Sequence, residues 1–92
     1  MSVTMIVRHP VTDYATWRAV YDSAAVIALH AKHGITSSEV LQAPGDANDV
    51  VVINRFASAE AANALASDPE LKMAMEKGGV AGPPRIEIFT NV

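Results

Sequence analysis

Four apolar residues stand in a row at Val50-Val51-Val52-Ile53, and this run constrains the fold more than any other feature. Successive residues of a strand point to opposite faces of its sheet, so such a strand is apolar on both sides. Two other segments behave alike: Val3, Met5 and Val7 alternate with Ile6, and Ile86 and Ile88 alternate with Phe89. An antiparallel sheet with one face in water shows apolar–polar alternation instead. Here both faces ask to be covered, in a chain of 92 residues, the size of one domain. One helical layer covers one face. A second copy packed sheet on sheet covers the other, because a bare apolar sheet face exceeds the patches that monomers expose. The alternative within one chain is that Arg8, Arg55 and Glu87 shield the open face with their long side chains.

The segments flanking these strands give the element order. Val3–His9 is a strand ended by Pro10, and Thr12 or Asp13 caps a helix predicted from Tyr14 to Lys32, stopped by Gly34. At 100° per residue its core face takes Tyr14, Trp17, Val20, Tyr21, Ala24, Ile27, Ala28 and Ala31, leaving His30 and His33 outside. Ile35–Gln42 reads as a second strand, Ala43–Asp49 as a turn, and Val50–Phe56 as a third strand closing a hairpin. Ser58 caps a second helix. Asp68-Pro69 opens a third, to about Lys77, the aspartate capping and the proline suiting the first helical position. Gly78-Gly79-Val80-Ala81-Gly82-Pro83-Pro84 is irregular, read as a flexible lid or connector, and Arg85–Thr90 is the last strand. The order β-α-β-β-α-β, with its second helix broken, specifies an α+β, ferredoxin-like βαββαβ domain spanning residues 1–92, with a four-stranded antiparallel sheet and helices on one face.

Composition narrows the function classes. There is no cysteine, which excludes disulfides and thiolate chemistry and leaves no reason to propose an oxidising compartment. A net charge of −3 argues against a nucleic-acid partner, which needs clustered Lys and Arg. No apolar stretch approaches membrane-spanning length, and the start MSVTMIVRHP lacks the pattern of a signal peptide. A cytoplasmic protein is expected. The glycine-rich segment neither follows a strand nor opens a helix, so it is no phosphate loop.

Two stretches carry a resemblance. One is Val7-Arg8-His9-Pro10-Val11-Thr12-Asp13-Tyr14-Ala15-Thr16-Trp17-Arg18; the other runs from Phe56-Ala57-Ser58-Ala59-Glu60-Ala61-Ala62 to Ser67-Asp68-Pro69-Glu70-Leu71-Lys72. With the topology they resemble the dimeric α+β barrel superfamily, in particular its antibiotic-biosynthesis-monooxygenase branch, over nearly the whole chain. The resemblance implies a homodimer joined through the open sheet face and a small hydrophobic, aromatic ligand. It implies oxidation or rearrangement of that ligand by a cofactor-independent monooxygenase, cyclase or isomerase. Haem-degrading relatives use an asparagine on the first strand, with a histidine and a tryptophan in the second half of the chain. Here the first strand has no asparagine, all three histidines precede residue 34, and the one tryptophan is Trp17, which argues against haem. Quinone-forming relatives use asparagine, tryptophan, tyrosine and arginine; this chain has those types in Asn54, Trp17, Tyr14 or Tyr21, and Arg55, at other positions.

The candidate residues follow. His9, at a strand mouth, suits a general base, against the plainer reading of a strand-end histidine tied to its loop. Asn54 interrupts an apolar strand and needs a partner or a ligand, so it joins His9 as a catalytic candidate. Arg55, on the opposite face, is expected to pair with Glu39 or Glu87. Tyr14, Trp17 and Tyr21 form an aromatic stripe that either lines a ligand site or fills core; the alanines beside them leave room for a cavity. His30 and His33 have the spacing of metal ligands but lie on the expected outer face with no carboxylate nearby, so no metal is expected and no cofactor is assigned. Two readings of the function stand: an enzyme with His9 and Asn54 in its pocket, or a non-catalytic ligand-binding or dimerisation domain. Whether a titratable group opens into the pocket separates them.

Overall fold

The computed structural model describes residues 2–92. Four strands, β1 (Val3–Pro10), β2 (Ser37–Ala43), β3 (Asp46–Phe56) and β4 (Arg85–Thr90), form one antiparallel sheet in the order β2-β3-β1-β4. Four helices, α1 (Tyr14–Tyr21), α2 (Ala24–Lys32), α3 (Ala59–Ala66) and α4 (Pro69–Lys77), complete the ferredoxin-like α+β fold. The expected caps form: Asp13, Ser58 and Asp68 each accept a backbone N–H of the first turn of α1, α3 and α4.

Register divides the sheet into two unlike faces. Met5 pairs with Asn54 and Ile88, and Val7 pairs with Val52 and Ile86; these residues face the helices and, with Phe56, Leu29, Leu65 and Trp17, build the core. The intervening residues share the open face. Ile6 stands between Ile53 and Glu87, Val51 between Leu41 and Arg8, and Phe89 beside Thr4. Arg55 lies on this face too. The expected pair with Glu39 or Glu87 does not form, because Glu87 meets Arg85 on its own strand at 3.1 Å. Arg8 meets Asp49 at 2.7 Å.

The expected single helix from Tyr14 to Lys32 is two helices. Arg18 holds Asp22 at 3.0 Å at the end of α1, and the Ser23 hydroxyl accepts the Val26 N–H to start α2. Side chains of this kind offer the backbone a competing partner and end one helix while capping the next. The break turns the second half about its axis. Val26 and Leu29 are buried, whereas Ile27 is 61% exposed and Ala24, Ala28 and Ala31 face outward. The alanine-lined space expected beneath this helix is therefore absent, and the outward positions expected for His30 and His33 are overturned with it.

The hairpin is also tighter than expected. β3 begins at Asp46, and Pro44-Gly45 make the turn, with Gly45 at φ +83°. The extra length of β3 carries Asn48 to the β1–α1 loop, where its side chain accepts the Tyr14 N–H and its carbonyl accepts the Val11 N–H. The glycine segment after α4 is stitched to the same loop: Thr12 N–H donates to Gly79 and Ala81 N–H donates to Pro10. Pro83 and Pro84 are both trans.

Candidate functional site

A cavity of about 50 Å³ lies between the helix-facing side of the sheet and the roof made by α1, α2 and α4. Met5, Val7 and Val52 form its floor, and Val20, Val26, Leu71 and Met75 close it from above. Three polar side chains interrupt this apolar lining besides Tyr21: His9, Asn54 and His30. Such a ratio, mostly apolar with a few polar groups, is that of a small-molecule site. The volume suits water or a very small ligand; sites that enclose a drug-sized molecule measure roughly 300–1,000 Å³.

His9 and Asn54 are the only buried polar residues in the described chain, at 2% and 4% exposure. His9 sits on β1 where alternation turns it toward the helices. Its Nδ1 is buried without a hydrogen-bond partner among the described residues. A buried polar atom left unpaired costs about 1–3 kcal/mol, so packing does not account for it. Its ring meets Trp17 edge-on, with centroids 5.6 Å apart. Burial holds its pKa below the usual histidine value, which keeps the imidazole neutral and able to accept a proton.

The cavity has two distinct ends. Asn54 pairs with Met5 and His9 with Val50, so the two polar residues are offset by four positions along the strands. At ~3.3 Å per residue this is about 13 Å. α1 runs back along the same length. Trp17 stands by His9, and Tyr21, stacked on Trp17 at 4.9 Å, reaches the Asn54 end. There the Tyr21 hydroxyl hydrogen-bonds Ser38 Oγ, which donates to Asn54 Oδ1 at 2.9 Å. With Oδ1 engaged, the amide N–H₂ of Asn54 is the donor left for a ligand. Burial raises the Tyr21 pKa, so its hydroxyl keeps its proton. The His30 ring stands edge-on to Tyr21, with centroids 5.3 Å apart. His9 and Trp17 are enclosed, whereas Tyr21 and His30 are half-buried and Ser38 is exposed, so the Tyr21 end is where the cavity meets solvent.

The structure thus brings Trp17 to His9, and Tyr21 to Asn54, without bringing His9 to Asn54. Tyr14 stands one ring removed, tilted against Trp17 at 5.9 Å and outside the lining. Sequence reasoning missed Ser38, which follows from hairpin register because it pairs with Asn54. It also misplaced His30; the signal was Ser23, a good cap in the middle of the presumed helix. His33 leaves the site altogether. Its Nε2 lies 2.7 Å from Asp68 Oδ2, which Lys32 also holds at 3.0 Å, and these contacts tie α2 to the start of α4. The Asp68 carboxyl is held well below the usual carboxylate range by His33, by the Glu70 N–H and by Lys32. His30 and His33 therefore turn to different partners. No group of three metal-ligating side chains gathers among the described residues, and no described helix is long and apolar enough to cross a membrane.

No protein-family profile matches the chain, and no curated protein matches it in sequence. Solved structures do match in fold. SnoaB, a cofactor-independent oxygenase from Streptomyces nogalater, superposes with a TM-score of 0.77 at 19% identity, over 99% of this chain and 93% of that one. The ActVA-Orf6 monooxygenase of Streptomyces coelicolor, solved with nanaomycin D, gives 0.73 at 20% identity, over 99% and 88%. Rv0793 from Mycobacterium tuberculosis gives 0.72 at 19% identity, over 100% and 96%. The chain has the ferredoxin-like fold of the antibiotic biosynthesis monooxygenase-like proteins, as its sequence resemblance implied.

Proposed function

We propose that this protein is a small-molecule enzyme of the cofactor-independent oxygenase type, acting on a small phenolic or otherwise aromatic molecule. One observation carries the reading: His9, whose buried Nδ1 has no hydrogen-bond partner among the described residues, lines a mostly apolar cavity. Such a group can take a proton from a bound molecule, which apolar side chains alone cannot. His9 accepts a proton from the substrate, and the Asn54 amide donates to an oxygen on which negative charge develops. An electron-rich phenolate whose oxygen is held at the Asn54 end reacts with dioxygen directly, which needs no metal or bound organic cofactor. SnoaB and the ActVA-Orf6 protein, which share the fold, lend support. Because the cavity is small, an aromatic substrate enters by parting the roof helices from the sheet.

The open sheet face completes the proposal. Ile6, Val51, Ile53, Leu41 and Phe89 are its apolar residues, the last two 44% and 52% exposed, among Arg8, Arg55, Arg85, Glu39 and Glu87. We read this face as the seat of a second copy, forming a homodimer, and the protein as cytoplasmic.

Oxygen uptake with a panel of hydroxylated naphthalenes tests the enzyme reading. The rate should rise with pH through the His9 pKa and then level off, with that limb below the ordinary histidine value near ~6.5. Ligands that bind and quench Trp17 without any turnover would establish the binder instead.

A further inference from the structure

We propose that His30 is a second proton acceptor of this site, serving the Asn54 end of the cavity as His9 serves the closed end. The inference rests on the oxygenase reading and deepens it. His30 lines the same cavity as His9 but comes from the opposite side, α2 against β1. It touches the ring of Tyr21, whose hydroxyl leads through Ser38 to Asn54. No side-chain hydrogen bond holds its imidazole among the described residues. The groups around it leave it free. Leu71, Ala74 and Met75 of α4 carry no charge. Arg18 stacks over Tyr21 and is paired with Asp22. Lys32, His33 and Asp68 are engaged with one another. Burial is the one influence on the His30 pKa, and it lowers it, so this imidazole is neutral as well.

The chemistry has work for two bases. A phenol oxidised to a quinone by dioxygen loses two protons, one from its hydroxyl and one from the carbon that gains oxygen. A C–O bond forms, the O–O bond breaks, and the substrate supplies all four electrons. Both protons leave on the second oxygen as water, so phenol and dioxygen become quinone and water with nothing left over. His9 and Asn54 are about 13 Å apart by strand register, too far for one imidazole to serve a hydroxyl held by Asn54 and also act at the closed end. His30 takes the hydroxyl proton at the mouth, where the substrate arrives, and His9 takes the carbon proton deeper in. Each then returns its proton to the departing oxygen.

The test uses 2-chloro-4-nitrophenol, a stronger acid than imidazolium, whose phenolate is yellow and whose neutral form is not, at a pH just below its own pKa. The wild type and His9→Gln should bind it as the phenolate. His30→Gln and His30→Asn should bind it as the neutral phenol and lose the yellow band, with the near-ultraviolet signal of Trp17 confirming that both variants are folded. A phenolate band that survives in both His30 variants, or that vanishes in His9→Gln, overturns the assignment. A band that depends on His30 in a protein that consumes no oxygen with any phenol sinks the oxygenase reading and leaves His30 standing. A wild type that does not bind the probe overturns the assignment to His30, whereas the oxygenase reading stands or falls on oxygen uptake with the hydroxylated naphthalenes.

Discussion

The two faces of the sheet carry opposite anomalies. Toward the helices the wall is apolar and the exceptions are polar: His9 and Asn54, buried at 2% and 4% exposure. Toward the outside, charged side chains are plentiful and the exceptions are apolar: Val51, Ile53 and Ile6 in the interior strands, Leu41 and Phe89 at the edges. Burying a polar group among apolar ones costs free energy unless something partners it, and exposing a contiguous apolar patch costs free energy unless something covers it. On the function proposed above, the first face takes a ligand and the second takes a protein.

The largest expected effect breaks the first anomaly. His9→Gln keeps a polar side chain that takes no proton near neutral pH, and should lower the catalytic rate by about 10²–10⁴-fold while binding changes only a few-fold. Steady-state oxygen uptake beside ligand titration separates the two quantities. His33→Gln is the control, since His33 meets Asp68 outside the cavity.

The next effect breaks the second anomaly. Val51→Asp places a charge at the centre of the open face, where a partner's sheet would bury it without a counter-ion. The dimer should lose roughly 3–5 kcal/mol of association free energy. Light scattering at micromolar concentration should read twice the chain mass for the wild type and once for the variant. A monomeric wild type would end the dimer proposal.

Trp17 sharpens the contrast within the helix-facing side, because it is both core and lining, 5% exposed and stacked on Tyr21. Trp17→Phe should cost about 1–2 kcal/mol in chemical denaturation, the scale of an imperfect core swap. In the wild type, an aromatic ligand should change the fluorescence of this one tryptophan.

Asp68 gives the smallest effect and probes the roof. Its pKa is depressed in the fold, so its stabilisation is present above the unfolded-state value and is lost as pH falls through the folded one. Asp68→Asn should lower the melting temperature at pH 7, and the gap from the wild type should close on acidification below pH ~4. A constant gap across that range would show that the charge of the carboxylate is not what stabilises the roof, since asparagine caps a helix as well as aspartate does.

Much of this was legible in the chain. Period-two alternation set the strands, Pro and Gly punctuated them, and Asp13, Ser58 and Asp68 marked the starts of three helices, because these signals act within a few residues. His9, Asn54, Trp17 and Tyr21 stood out as polar or aromatic residues in apolar settings, and all four line the cavity. Three features escaped. The helical wheel assumed one unbroken axis, and the Asp22–Ser23 break rotated everything beyond it. Ser38 is an ordinary exposed serine until the hairpin register sets it against Asn54. The separation of His9 from Asn54 depends on how β1 pairs with β3. Local sequence determined which elements form and which faces are apolar, since those preferences are settled between near neighbours. Only the tertiary structure decided which histidine meets which partner. Pairings between residues far apart in the chain are fixed by strand register and by the rotation of a helix, and one residue of shift in either sends a side chain to the other side.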